Sequence, residues 1–159
     1  MSEDLSARLR SAFRLVDASV AVITAGVGPS RIAMTATAFT TVSLDPPTIL
    51  VCVNRSSRIH SVITATGGYR LNVLANAQVA VAQACRGGDI AARFDHGDWR
   101  DDAPRGPRLT EALASIGCAL SDAIERGSHS IFIGAVEDVA THDVRPLLYA
   151  NGDYVCARA

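Results

Sequence analysis

Two extended segments separated by a pair of prolines occupy the middle of this 159-residue chain. Residues 31–43 are rich in small and hydroxyl-bearing side chains, and residues 48–53 form an almost wholly apolar run. They are separated by Asp45, Pro46 and Pro47. Proline interrupts a strand because it cannot donate a hydrogen bond to the ladder. The pattern predicts two neighbouring strands with a tight turn between them.

Similar strand-and-turn signals recur along the chain. Strands are predicted over residues 19–25, 31–43, 48–53, 69–74, 116–124, 130–139, 147–149 and 154–156. Helices are predicted over residues 4–16, after Ser56 or Ser57 as N-cap, and between Asn76 and Gly87, with a short turn capped by Asp89. Strands outnumber helices and follow one another directly. We therefore expect a mainly β fold with flanking helices, an antiparallel barrel, in one domain over residues 1–159.

Composition excludes several classes of protein. The formal net charge is −1 and the arginines are scattered, whereas nucleic-acid binding calls for a basic stripe. No apolar run is long enough for a membrane span, and the first residues lack a signal-peptide pattern, so a cytoplasmic protein is expected. The four cysteines and four histidines show no metal-ligand spacing, so no metal site is expected.

A polar group follows the apolar strand of residues 48–53. Cys52 and Val53 end the strand, and Asn54, Ser56, Ser57 and Arg58 lead into the next predicted helix. Main-chain N–H groups at a helix start attract phosphate, and an arginine adds charge-assisted hydrogen bonds. The alternative is an ordinary helix start beside a solvated arginine.

The hydroxyl-rich segment offers a second candidate surface. Its centre consists of the small residues Thr35, Ala36, Thr37 and Ala38, which would let a flat ring approach the main chain. Alone, this segment is equally well explained as an edge strand with a polar face. The two segments in tandem favour a site for an anionic ligand that carries a ring.

His129 follows a glycine turn at the entry of a predicted strand, where its side chain could face a cleft. Near a redox-active ring an imidazole could donate a hydrogen bond or influence a proton. The alternative is a turn histidine in water. Tyr149 and Tyr154 flank an Asn-Gly hairpin signal and are more typical of core or rim positions.

Several motifs in a fixed order resemble the flavin reductase-like family, which has the FMN-binding split-barrel fold. The resemblance rests on residues 34–47 (MTATAFTTVSLDPP) and 50–57 (LVCVNRSS), and on the shorter motifs at 71–74, 93–94, 127–134 and 146–149. It covers most of the chain.

The resemblance implies a homodimer that binds FMN or FAD and takes hydride from NADH or NADPH. It implies isoalloxazine contacts at residues 35–38 and 52–54, with Ser56, Ser57 and Arg58 beside the phosphate. Arg93 and Phe94 would also approach the flavin, and His129 and Tyr154 would lie by the nicotinamide.

The activity expected from this resemblance is NAD(P)H-dependent flavin reduction, with a separate oxygenase as the receiver of reduced flavin. His129 is the candidate catalytic residue. Two alternatives stay open: a corrinoid reductase that acts on cob(II)alamin, and a non-catalytic module that holds flavin tightly.

Overall fold

The computed structural model describes residues 2–157, and strands make up most of its regular structure. Its helices are Ser2–Arg14 (α1), Arg58–Thr66 (α2) and Val79–Ala84 (α3), with single 3-10 turns at Gly28–Ser30, Asn76–Gln78 and Ala91–Phe94. The strands are Ala18–Ser19 (β1), Ala21–Ala25 (β2), Ile32–Ala36 (β3), Phe39–Leu44 (β4), Pro47–Asn54 (β5), Gly68–Val73 (β6), Trp99–Arg100 (β7), Arg108–Leu109 (β8), Ala114–Arg126 (β9), His129–Thr141 (β10), Leu147–Ala150 (β11) and Asp153–Cys156 (β12). The expected mainly β class is confirmed.

The main sheet of the described chain has seven antiparallel strands in the order β3-β2-β6-β9-β10-β5-β4. Its two edge strands, β3 and β4, are consecutive in sequence and are joined only by Thr37 and Ala38. The sheet must therefore curve round until its edges meet at this link, while β3 and β4 do not pair with each other. This is an antiparallel split barrel, as the sequence predicted, with the split at residues 37–38.

β2 is buried on both of its faces and separates two apolar cores. Ala21, Ile23 and Ala25 point into the barrel interior, whereas Val20 and Val22 pack against α3 and β11 on the outside. Because side chains alternate along a strand, such a position requires a continuous apolar run rather than an alternating one. The sequence of residues 20–25 meets this requirement.

Helix α2 closes one end of the barrel. Ile59 and Ile63 are buried in the interior core, and Gly67 ends the helix with a left-handed φ of 70°. Ser57 stands at the N-cap position, but the expectation that its hydroxyl caps the helix is wrong. That hydroxyl donates to the carbonyl oxygen of Asn54 at 2.6 Å instead.

β9 and β10 form a long hairpin whose turn is Gly127 and Ser128. Its register pairs His129 with Arg126 on β9 and with Asn54 on β5. The predicted strands at residues 116–124 and 130–139 are therefore confirmed and extend further at both ends. The hairpin carries His129 to the same end of the sheet as Asn54.

The loop of residues 101–107 is attached to the barrel wall by two arginines. Arg70, fully buried on β6, binds both carboxylate oxygens of Asp138, at 2.9 and 2.8 Å, and donates to the carbonyl oxygen of Pro104. Arg105 of the loop makes a bidentate pair with Glu137, at 2.7 and 2.8 Å. This loop thus lies at the surface but is fixed to the sheet.

Helix α1 was predicted over residues 4–16 and ends at Arg14 in the structure. Its apolar side chains Leu5, Leu9 and Phe13 share one face, yet 59–68% of each is exposed. The periodicity therefore predicted the helix, but within residues 2–157 its apolar face stays largely exposed. Among residues 2–157, no helix combines the length and apolarity needed to cross a bilayer.

Candidate functional site

The split of the barrel brings the two predicted ligand segments side by side. The Cys52 amide donates to the carbonyl oxygen of Ala38 at 2.9 Å, which ties the link to β5. Thr37 and Ala38 are exposed, and Ala36 is half-buried. Such small side chains would let a flat ligand approach the main chain. The Thr35 hydroxyl donates to the carbonyl oxygen of Ala82 at 2.7 Å and so faces α3.

β5 presents alternate residues to the two sides of the barrel wall. Val53 is fully buried in the interior, so only its main chain could contact a ligand. Cys52 is half-buried and Asn54 is exposed, and both lie on the outer face. The side chain of Val53 is therefore separated from the other predicted contacts.

The turn after β5 is held by its own polar side chains. Asn54 Oδ1 accepts hydrogen bonds from the Ser56 amide at 2.9 Å and from the Ser56 hydroxyl at 2.8 Å. The Ser57 amide and hydroxyl donate to the Asn54 carbonyl oxygen. Both hydroxyls thus fix the turn, and the first N–H groups of α2 have no partner within the helix.

Arg58, the first residue of α2, lines a cleft of about 570 Å³. Within residues 2–157 its guanidinium forms no salt bridge. Arg31 and Phe94 share the cleft, with Arg31 Cζ 4.2 Å from the Phe94 ring centroid and Arg31 Nη1 2.8 Å from Asp101. An arginine without a carboxylate partner in a cleft is a natural anion-binding group.

Arg93 and Phe94 follow each other but have different positions. Phe94 lines the cleft beside Arg58, whereas the Arg93 guanidinium donates to the carbonyl oxygen of Ala33 at 2.7 Å. Arg93 Nε is buried and has no hydrogen-bond partner. Cys85 lies nearby, and burial raises the pKa of its thiol to about 12. Arg93 therefore binds the main chain of β3 and does not line the cleft.

His129 is exposed at the first position of β10. Its Nδ1 lies 2.9 Å from the Ser128 hydroxyl, which orients the ring. Because it stands directly opposite Asn54, its side chain shares the outer face of the sheet with Cys52 and Asn54. The structure thus brings His129 to the strand end that the sequence assigned to the same site.

A second, smaller cleft of about 170 Å³ adjoins the split. It is lined by residues 35–37 and by Val20, Arg86, Tyr149 and Tyr154. The rings of Tyr149 and Tyr154 meet edge to face at 5.3 Å. Tyr154 therefore reaches the split, as expected, but His129 does not line this cleft.

Three residues that line these clefts were not selected from the sequence: Arg31 in the cleft of Arg58, and Arg86 and Tyr149 in the cleft beside the split. Arg31 follows a Gly-Pro-Ser turn and Arg86 precedes Gly87 and Gly88, so each lies next to a chain reversal. An arginine next to a turn is common in any sequence. Only the fold shows that each of these two arginines lines a cleft.

The chemistry of the donors fits a flavin nucleotide. The split offers small side chains and accessible main chain for a planar ring, and Arg58 at the start of α2 offers an unpaired positive charge for a phosphate. The side chains of residues 35–38 are uncharged, so no charged group would be buried beneath such a ring.

The family model of the flavin reductase like domain matches residues 13–157. This match extends over more than nine-tenths of the sequence and includes both strands of the split. The chain therefore belongs to the flavin reductase-like family.

Several relatives have established names. The chain is 35% identical over 159 residues to the reductase component of the FADH(2)-dependent resorcinol hydroxylase of Rhizobium sp. strain MTP-10005, covering 98% of this chain and 89% of that protein. It is 35% identical to the FMN reductase (NADH) RutF 1 of Methylorubrum extorquens, covering 97% and 77%. It spans about half, 48%, of a Rhizobium meliloti protein named "Probable flavin reductase", to which it is 36% identical.

Solved structures share the fold. The flavin reductase component BorF of a bacterial two-component tryptophan halogenase is 39% identical, with a TM-score of 0.84 and coverage of 95% of this chain and 97% of that one. The NADH:FAD oxidoreductase SgcE6 of Streptomyces globisporus is 30% identical, with a TM-score of 0.89 and coverage of 97% and 94%.

Proposed function

We propose that this chain is an NAD(P)H-dependent flavin reductase that supplies reduced FMN or FAD to a separate monooxygenase. The proposal is supported by its family and by relatives that are named as reductase components or as FMN reductase (NADH). The observation that carries it is the split at residues 37–38, where small side chains lie beside Cys52 at the end of β5, and where the next helix begins with Arg58, which has no carboxylate partner among the described residues.

The chemistry would come from the two nucleotides: flavin bound at the split would accept a hydride at N5 from C4 of the nicotinamide. The chain would supply positioning and electrostatics. Ala36, Thr37 and Ala38 would hold the ring against the main chain, with Cys52 and Asn54 at its side. Arg58 would bind the phosphate, and Phe94 would close the cleft beside it.

His129 would act on the nicotinamide side of the ring. Its Nδ1 is engaged by Ser128, which leaves Nε2 to face the ligand. A hydrogen bond from Nε2 to the carboxamide would orient the nicotinamide for transfer. Tyr154 would contribute from the neighbouring cleft.

We also propose that residues 1–159 act as a single domain and that two copies form a homodimer in the cytoplasm. The exposed apolar face of α1, with Leu5, Leu9 and Phe13, supports a second copy as its cover. Exposed Val42 and Leu44 on the edge strand β4 add further apolar surface.

The test is NADH oxidation at 340 nm by purified protein, with and without added FMN or FAD. Turnover that depends on added flavin is expected, and the two flavins and the two nicotinamide donors can then be ranked. A protein that keeps its flavin through dialysis and oxidises no NADH would refute the proposal in favour of a binding module. Reduction of cob(II)alamin without flavin release would refute it in favour of a corrinoid reductase.

A further inference from the structure

Arg86 lies between the split and a neighbouring cleft. It lines the 170 Å³ cleft together with Thr35, Ala36 and Thr37, and also a second cleft of about 570 Å³ on the outer side of residues 83–96. Its position after α3 and before Gly87 and Gly88 leaves its side chain exposed. A ligand that reached from one cleft to the other would pass its guanidinium.

Arg86 has aromatic neighbours in the 170 Å³ cleft, whereas Asp89 and Asp95 line the outer cleft on its other side. Its Cζ lies 5.8 Å from the ring centroid of Tyr149, and within residues 2–157 it forms no salt bridge. Burial raises the pKa of Tyr154, and the charge of Arg86 and a side-chain hydrogen bond from it oppose that rise. The positive charge of Arg86 therefore has no carboxylate partner among the described residues.

Arg86 and Arg58 serve different clefts. No residue lines both the cleft of Arg58 and the 170 Å³ cleft of Arg86. With the flavin phosphate at Arg58, as proposed above, Arg86 is left for a second phosphate-bearing ligand. The proposed reaction requires two such ligands, flavin and nicotinamide nucleotide, beside the same ring-binding segment.

We propose that Arg86 binds the phosphate groups of the nicotinamide nucleotide, with the Tyr149–Tyr154 pair as the wall of its cleft. This inference rests on the proposed function. The outer cleft beyond Arg86, which Asp89 and Asp95 also line, has room for the rest of a dinucleotide.

The test compares R86Q with wild type and with R100Q, an exposed arginine paired with Asp98 outside all of these clefts. Three donors are used with saturating FMN: NADH, reduced nicotinamide mononucleotide, and 1-benzyl-1,4-dihydronicotinamide, which has no phosphate. We expect KM for the two phosphate-bearing donors to rise on the order of tenfold in R86Q, since charged hydrogen bonds are lost. The benzyl donor, the FMN dissociation constant and R100Q should be unchanged, and R86K should recover part of the loss.

An unchanged KM for NADH, or an equal loss with the benzyl donor, would overturn the inference. Weaker binding of FMN but not of riboflavin would assign Arg86 to the flavin phosphate and would overturn it too. A calorimetric titration with ADP-ribose gives a readout without turnover: equal affinity for wild type and R86Q overturns the role of Arg86. Wild-type protein that oxidises none of the donors with flavin present would instead refute the proposed function.

Discussion

At the scale of single residues, the site depends on which polar groups already form hydrogen bonds within the protein. The hydroxyls of Ser56 and Ser57 and the Arg93 guanidinium bond to the protein itself. Arg58, Arg86 and the Nε2 of His129 remain available, and their positions differ. Each of the three can therefore be tested by a substitution that leaves the other two in place.

His129→Ala should lower kcat/KM for NADH about tenfold or more, because the hydrogen bond that orients the nicotinamide would be lost. Flavin affinity should stay nearly intact, since His129 does not line the cleft of Arg58, which is proposed to bind the flavin phosphate. Stopped-flow reduction and flavin titration measure the two properties separately. Ser128→Ala, which removes only the hydrogen bond to Nδ1, should have a smaller effect. Unchanged kinetics in His129→Ala would remove this residue from the mechanism.

Arg58→Ala should weaken FMN binding on the order of tenfold and leave riboflavin, which lacks the phosphate, almost unaffected. Arg55→Ala is the matched control, because Arg55 lies three residues earlier but is paired with Glu125 at 3.1 Å. Fluorescence titration with the two flavins gives both constants. If FMN and riboflavin lose affinity equally, Arg58 does not face the phosphate.

At the scale of elements, a β-bulge on β10 directs two successive carboxylates to the loop of residues 101–107. The register of β10 against β9 shifts between Val136 and Asp138, which leaves Glu137 as the extra residue. Asp138 then meets buried Arg70, and Glu137 meets Arg105 of the loop. This bulge thus fixes the loop of residues 101–107 to the sheet, and the sequence alone does not predict that contact.

Asp138→Asn should lower the free energy of unfolding by about 3 kcal/mol, because it leaves the fully buried Arg70 charge without its partner. Glu137→Gln is the control: its partner Arg105 is partly exposed, so a much smaller loss is expected. Urea denaturation followed by circular dichroism measures both. Equal losses of unfolding free energy in the two variants would show that the burial of Arg70 does not determine how much its pair with Asp138 contributes to stability.

At the scale of the whole molecule, the proposed homodimer depends on the exposed apolar face of α1. Leu9→Glu should convert a homodimer to monomer, because it places a charge in the apolar face formed with Leu5 and Phe13. Ser11→Glu, on another face of the same helix, should leave the dimer intact. Light scattering after size-exclusion chromatography gives the mass. A wild-type monomer at micromolar concentration would contradict the proposed homodimer.

Much of this molecule was predictable from local sequence patterns. The Pro46–Pro47 break, the glycine turns and the apolar runs predicted most of the strands, although the single strand expected over residues 31–43 is divided into β3 and β4 at residues 37–38. The small residues in tandem with the segment that ends at Arg58 predicted a ligand site, which stays a prediction. Long-range facts were not predictable in this way. The packing of α3 on β3 places Arg86 next to Thr35, and Arg93 donates a hydrogen bond to the carbonyl oxygen of Ala33. Neither contact leaves a periodic signal in the sequence.

The link of Thr37 and Ala38 has a consequence for the energetics of the barrel. β3 and β4 each expose one row of main-chain groups at the split, so these edges should open most readily and exchange their amide hydrogens with solvent most quickly. A ligand seated there bridges the only gap in the described sheet order. A ligand that binds across this gap should therefore slow hydrogen exchange along both edges, which would couple local opening of the barrel to loss of the ligand.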